Sequence, residues 1–394
     1  MGEHGFAISC ETSCMNSQLL MPHKRSLYLD QIKAVIVALV IAIHVPMAFS
    51  VGWIGIKIPV EGAIGPVFKG FFAWYSIAIN SFIMPTMFLL SGYFVPRSVY
   101  EKGIGQYLND RLARLGMPFL MGMLLINSSS TLLSKLSPSS YFAKIPWSNL
   151  PLSQTYVLWF LIVLFVFDLL FCGYVVTKRD RYEIDVTVPT PGMHSWLISA
   201  VILGFLEVVM AMQIGLWSAL LGSPLSALGI QGPHVFTYAF LFFLGCKASC
   251  HNWFERLDSH LVMKWFRLSL FLLLSLFGLS MVFAFNANLL DSPAMLFLVA
   301  YALYPFIAWG IVSYLILWFQ RNEGRFGQWL STAGINSYGA YVIHPLVLVV
   351  ALLIFGFVGI NPWLIVLIST VFSVFISFGV AGQLRRIPAV AKVL

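Results

Sequence analysis

Charge is what this chain has least of. Only 10% of its 394 residues are Asp, Glu, Lys or Arg, where soluble domains carry about 25%. Hydrophobic residues make up 59%, and the mean hydropathy is +0.88. These values exclude a soluble globular class and point to an integral membrane protein, so a length-based count of soluble domains does not apply. Acids are scarcer than bases, 15 against 23. The resulting charge of +8 sits in short loops between apolar runs, which is membrane topology and not a nucleic-acid signal. Cysteine is sparse too. The five cysteines include Cys10/Cys14 and Cys246/Cys250, each spaced C-x3-C, with no histidine at zinc-finger spacing. Neither a disulfide framework nor a metal site is expected, and thiols on the cytoplasmic side stay reduced. Residues 1–24 lack an apolar h-region and a clear cleavage site, so no signal peptide is expected there. Phe6 stands where myristoylation would need Ser or Thr. There is no internal repeat and no low-complexity tract, and strands are not expected because a helix satisfies its own backbone in lipid.

What the chain does have is apolar length. Ten runs are long enough to span, near 30–51, 68–94, 116–134, 155–177, 196–216, 233–250, 266–287, 294–318, 335–357 and 362–384. The third is the weakest, because NSSST at 127–131 makes its outer half polar, and a short or re-entrant span is expected there. With the N-terminus inside, only Lys57, Lys69, Lys135 and Lys144 fall outside. Lys33 lies within the first span and all other lysines and arginines fall inside, as the positive-inside rule requires. The expected fold is an all-α integral membrane bundle of about ten transmembrane helices with both termini cytoplasmic. A cytoplasmic tail over 1–26 precedes a membrane domain over 27–385, and 386–394 form a short tail. Residues 96–115 carry Ile104, Tyr107, Leu108, Leu112 and Leu115 at helical spacing, which predicts an amphipathic helix in the inner interface. The polar, proline-bearing stretch 178–194 reads as a solvated connection.

A few polar residues stand inside these runs, where ionisable groups are costly and mark function. The first span, LYLDQIKAVIVALVIAIHVPMAFS, holds Lys33 and His44. Eleven residues amount to three turns plus about 20°, so the two share a face roughly 16 Å apart along the axis. The same spacing places Asn80 and Ser91 on one face of the second span. Ser337, Tyr341 and His344 follow i, i+4, i+7. Glu207 is the acid in the middle of the fifth span, and Asp168 sits in the inner half of the fourth. Counted by depth, His44, Asn80, Glu207 and His344 form a middle layer, expected to be catalytic. Lys33, Ser91, Arg111, Arg114 and Tyr338 form a basic inner layer suited to a nucleotide phosphate. Trp53, Trp147, Trp217 and His234 form an outer layer, for which an aromatic belt is the ordinary account. A polar passage from the basic rim to His44 is expected.

In this order and spacing, the motifs resemble the membrane-bound acyltransferase 3 family. They are Leu29-Asp30 with Lys33 and His44, SFIMPTMFLLSGYFVPRS around Ser91 to Tyr93, LNDRLARLGMPFL with Arg111, Arg114 and Pro118, then LWFL, FFLG and SYGAYVIHP. More narrowly they are similar to its branch of bacterial glucan succinyltransferases, glucan biosynthesis protein C. The resemblance implies acyl-CoA as donor, no permanently bound cofactor, a hydroxyl on a glycan or related envelope acceptor, and residence in a bacterial inner membrane. On this reading His44 is expected as general base or acyl carrier, Asn80 as oxyanion donor and Glu207 or His344 as the group that orients His44, with the donor phosphates on Lys33, Arg111 and Arg114. Lys33 departs from the arginine usual at its position, which keeps the charge and loses the planar fork. A proton-coupled secondary transporter uses the same kind of intramembrane polar groups, but transporters commonly show repeated halves.

Overall fold

The computed structural model describes residues 26–50, 52–60, 65–137, 139–152, 154–178, 185–221, 234–286 and 294–393, with the backbone alone for 214–221 and 294. The expected N-terminal tail, with Cys10 and Cys14, and the side chain of Trp217 lie outside the described residues. The chain forms α1 (Leu27–Met47), α2 (Gly65–Asn80), α3 (Ile83–Lys102), a long helical run α4 (Ile104–Ser134), α5 (Trp159–Lys178), α6 (Met193–Leu221), α7 (Val235–Cys250), α8 (Ser259–Phe285), α9 (Ala294–Arg321), α10 (Gly327–Phe355), α11 (Pro362–Leu384) and the short α12 (Pro388–Ala391). Among the described residues there is no strand, only isolated bridges joining Trp53 to Ile56 and Ile56 to Ser140. Among the described residues nine apolar helical stretches are long enough to cross a membrane, and α7 is a shorter apolar helix beside them. The chain is an all-α, multi-pass membrane bundle.

Three local features differ from the sequence expectation. The second run is broken at Ser81-Phe82 into α2 and α3. Asn80 closes α2 with its side chain exposed, while Ser91 lies on α3, so the break undoes the shared face. The amphipathic segment is split at Gly103, whose φ of 75° ends α3. Its second half then runs without interruption into the third span, so the arm and that span are one 31-residue helix. That helix loosens into π-helical turns at Leu112–Gly116 and Gly122–Asn127. π-Turns inside an α-helix concentrate at functional sites, and the first one holds Arg114.

The bundle is knit by close helix pairs: α1 with α10, α10 with α11, α3 with α7, α8 with α9, and α6 with α9. Glycine sets the tightest of these. A Cβ at Gly92 would overlap the Phe242 carbonyl oxygen, and one at Gly245 would overlap the Leu89 carbonyl oxygen. The glycines of SGYF and FFLG therefore face each other's helices and let two backbones touch, as small residues do in lipid. Gly92→Leu or Gly245→Leu should force α3 and α7 apart. The expected result is a lower unfolding midpoint in detergent and loss of the monodisperse peak on size exclusion, with overpacking of about 1–3 kcal/mol or more. A Leu variant as stable as wild type would refute the contact.

Candidate active site

One cavity of about 520 Å³ opens at the inner end of the bundle, the end whose loops carry the bases. Lys33, Ser91, Arg111, Arg114 and Tyr338 all line it, so residues from α1, α3, α4 and α10 meet at one place. Three further cations line it as well: Lys102, Arg385 and Lys392. Six cations thus face two carboxylates, Asp30 and Asp110. Such a surplus in a partly enclosed space favours a polyanion.

Three of these cations, Lys33, Lys102 and Arg111, are held by their neighbours. Lys33 Nζ lies 3.4 Å from Asp30 Oδ1, one helical turn away, and 4.6 Å from the centre of the Phe94 ring. Lys102 Nζ donates to Asp110 Oδ2 at 2.6 Å. Arg111 is tied to the bundle interior. Its Nε donates to Tyr107 Oη at 2.9 Å, and Tyr107 in turn donates to Asp168 Oδ1 at 2.7 Å. Asp168 is wholly buried on α5, and its Oδ2 lies 3.3 Å from Arg111 Nε without hydrogen-bond alignment. Asp168 thus anchors Arg111 through Tyr107. These contacts engage only Nε, leaving the terminal fork to a ligand. Arg114 is exposed three residues on, on the same side of the helix. Tyr338 differs from its expected role. Its hydroxyl donates to the Arg114 backbone carbonyl at 2.6 Å, so it fixes the arginine-bearing turn.

A pair of imidazoles lies above this cavity. His44 and His344 have ring centroids 5.3 Å apart, and Trp53 covers both, at 4.4 and 6.4 Å. His344 is wholly buried and His44 half-buried. His44 Nδ1 lies 2.5 Å from the Val40 carbonyl and His344 Nδ1 lies 2.6 Å from the Tyr341 carbonyl. A carbonyl only accepts, so each Nδ1 carries the proton and each Nε2 presents a lone pair. That is the form a general base needs. Two buried polar atoms here lack a protein partner, His344 Nε2 and Trp53 Nε1. A buried donor and a buried acceptor left open together suit a hydroxyl-bearing or carbonyl-bearing ligand. The Trp53 turn closes on itself, with Trp53 N–H to Ile56 O at 2.8 Å and Ile56 N–H to Trp53 O at 2.9 Å. Ile54 within it takes φ 41°, a left-handed value costly for a β-branched residue. Such strain collects at functional sites.

The cavity lining reaches Val37, Phe160 and Tyr341 and includes neither His44 nor His344. Val37 lies seven residues from His44, about 10 Å along the helix. Tyr341 lines the cavity with its ring 5.8 Å from the His344 imidazole, and its hydroxyl is tied to the Val157 carbonyl. Two expected members of the site lie apart from the imidazoles. Glu207 accepts hydrogen bonds from His234 Nδ1 at 2.9 Å and Thr237 Oγ1 at 2.5 Å, so its carboxylate orients His234. Asn80 ends α2, exposed. Sequence reasoning missed Trp53 as a ring over the imidazoles, Tyr341 as a cavity wall, and Arg385 and Lys392 as cavity cations. The i, i+4 spacing of Tyr107 and Arg111 was the available signal for the Asp168 anchor.

A basic cavity at one end of a helical membrane bundle, below two imidazoles with free Nε2 atoms, defines a membrane-embedded group-transfer enzyme. The acyltransferase domain model of the acyltransferase 3 family matches residues 26–382, so the chain belongs to that family and is an acyltransferase. No curated protein and no solved structure matches it.

Loss of Arg114 should weaken binding of adenosine 3′,5′-bisphosphate, a probe for a phosphorylated donor, about tenfold. That is the order of one charged hydrogen bond. Asp168→Asn, which releases Arg111, should also weaken it. Titration calorimetry on purified protein checks both, and unchanged affinity in Arg114→Ala would remove the cavity as the phosphate site.

Proposed function

We propose that the protein moves an acyl group, acetyl or succinyl, from acyl-CoA on the cytoplasmic side to a hydroxyl of a glycan or related envelope acceptor. The observation that carries this reading is that α1 and α10 line a six-cation cavity with Lys33 and Tyr338 and also bring His44 and His344 together. The donor phosphates pair with Arg111, Arg114 and Lys33, with Arg385 and Lys392 closing the mouth. The thioester arm extends past Tyr341 toward His44. His44 Nε2 takes the proton of the acceptor hydroxyl as its oxygen attacks the thioester carbonyl carbon. The carbon–sulfur bond breaks, the ester forms, and the CoA thiolate leaves and is protonated. Trp53 Nε1–H, buried and without an acceptor, is placed to donate to the developing oxyanion. This takes over the role expected of Asn80. His344 packs beside His44 and stays neutral. The motifs resemble those of glucan succinyltransferases, and that resemblance supports a glycan acceptor and the bacterial inner membrane; acetyl and succinyl both fit it.

The test uses membranes given acyl-CoA labelled in the acetyl or succinyl group, with the label followed into envelope glycan. His44→Ala should abolish transfer while leaving normal amounts of folded protein in the membrane. Retained turnover would remove His44 from the mechanism. Tyr341→Phe cuts the tie to Val157 and should raise the ratio of free labelled acid to acylated glycan, because water then reaches the thioester. An unchanged ratio would show that the hydroxyl tie to Val157 does not keep water from the thioester.

A further inference from the structure

A second cavity, of about 780 Å³, lies on the other side of α3 from the first, also at the basic end of the bundle. Its body is apolar, walled by Leu89, Phe240, Leu244, Trp309 and Ile316. Its rim is not. α6 starts there at Met193, with Gly192 and Ser195 on the wall. The first amides of a helix have no intrahelical acceptor and carry its positive dipole end. Lys247, in the last turn of α7, is exposed and lines the same rim, with its Nζ 5.6 Å from the Trp253 ring. Among the described residues no carboxylate forms an ion pair with Lys247. Trp253 supplies the independent observation. It lines this cavity, is only 6% exposed, and its Nε1–H is buried without an acceptor. A buried donor of this kind is rare and calls for a ligand. The loop above is pinned in place, because Arg256 donates to the Val186 and Val188 carbonyls.

We propose that this cavity binds one anionic phospholipid of the inner leaflet, its phosphate among the α6 amides, Lys247 and the Trp253 indole N–H, and an acyl chain along the apolar wall. The volume falls within the range of small-molecule sites, about 300–1,000 Å³. Donors on the rim of an apolar slot, at the basic end of the bundle, match a phosphate joined to hydrocarbon. The site is separate from the acyl-transfer cavity, so the proposal stands whether or not acyl-CoA is the donor.

The test is native mass spectrometry of the full chain in detergent, with phosphatidylglycerol and phosphatidylcholine of matched chains. Phosphatidylglycerol should be retained at activation energies that strip phosphatidylcholine. Lys247→Glu, a change at an exposed position, should lower its occupancy about tenfold. Trp253→Phe keeps the ring and removes only the orphaned donor. It should weaken phosphatidylglycerol several-fold while leaving the lipid-free unfolding midpoint unchanged or higher. Equal retention of the two lipids, undiminished occupancy in both variants, or displacement of the lipid by equimolar inorganic phosphate would each overturn the proposal.

Discussion

The constraint behind this architecture is that hydrocarbon offers a carbonyl no water. Every proline inside a spanning helix removes one N–H and leaves the carbonyl four residues earlier to find another donor. Two of these released carbonyls are satisfied by residues of the candidate site. Pro118 leaves the Arg114 carbonyl, and the Tyr338 hydroxyl takes it. Pro345 leaves the Tyr341 carbonyl, and His344 Nδ1 takes it. The hydrogen bonds that make the helix breaks tolerable in lipid therefore also fix the arginine-bearing turn and choose the His344 tautomer. Backbone satisfaction and site geometry are one set of interactions here.

The inner cavity extends the same economy to charge. A buried ion pair adds little net stability, because desolvation offsets most of the Coulomb attraction. The Asp168–Tyr107–Arg111 group therefore matters chiefly for position: it commits one guanidinium nitrogen and holds the rest of the fork at the cavity wall. Lys33 is managed in a milder way, by Asp30 one turn below and the face of Phe94. A lysine there can present a charge from a range of rotamers. An arginine tethered as Arg111 is presents a fixed fork. The departure of the first motif from arginine is thus tolerable for phosphate attraction, provided that Arg111 and Arg114 supply the geometry.

How much of this was legible in the sequence depends on whether the determining contact was local. The membrane class, the runs and the inner-face ring of Lys33, Ser91, Arg111, Arg114 and Tyr338 follow from hydropathy, helical period and depth, all properties of single segments. The break at Ser81-Phe82 was passed over because both halves are apolar and hydropathy runs through it; the signal was Pro85, which offers no N–H to the Ser81 carbonyl four residues earlier. Glu207 was misjudged because depth alone cannot say which helix a carboxylate faces. Its partners, His234 and Thr237, come from α7 and the residue before it. Trp53 was hidden by the ordinary prevalence of interfacial tryptophan, and only the turn closed by Trp53 and Ile56 brings it onto His44. The C-terminal cations Arg385 and Lys392 looked like loop charge, since nothing in their own segment says that the tail folds across the cavity mouth.

Tyr341, which lines the basic cavity and packs against His344, bears on what kind of machine the bundle is. A thioester held in an open aqueous channel loses its acyl group to water, which is abundant, before a dilute acceptor arrives. A site that excludes water until the acceptor is placed avoids that loss. Tyr341 fits such a role structurally because it touches both places: it lines the basic cavity, it packs against His344, and its own carbonyl anchors the His344 imidazole. Movement of this ring therefore cannot leave the imidazole undisturbed. The hydroxyl tie to Val157 runs to the turn that opens α5, the helix that also carries Asp168. Occupation of the basic cavity, which bears on Arg111 and hence on Asp168 and α5, has a short packed route to Tyr341 and the His344 imidazole beside it.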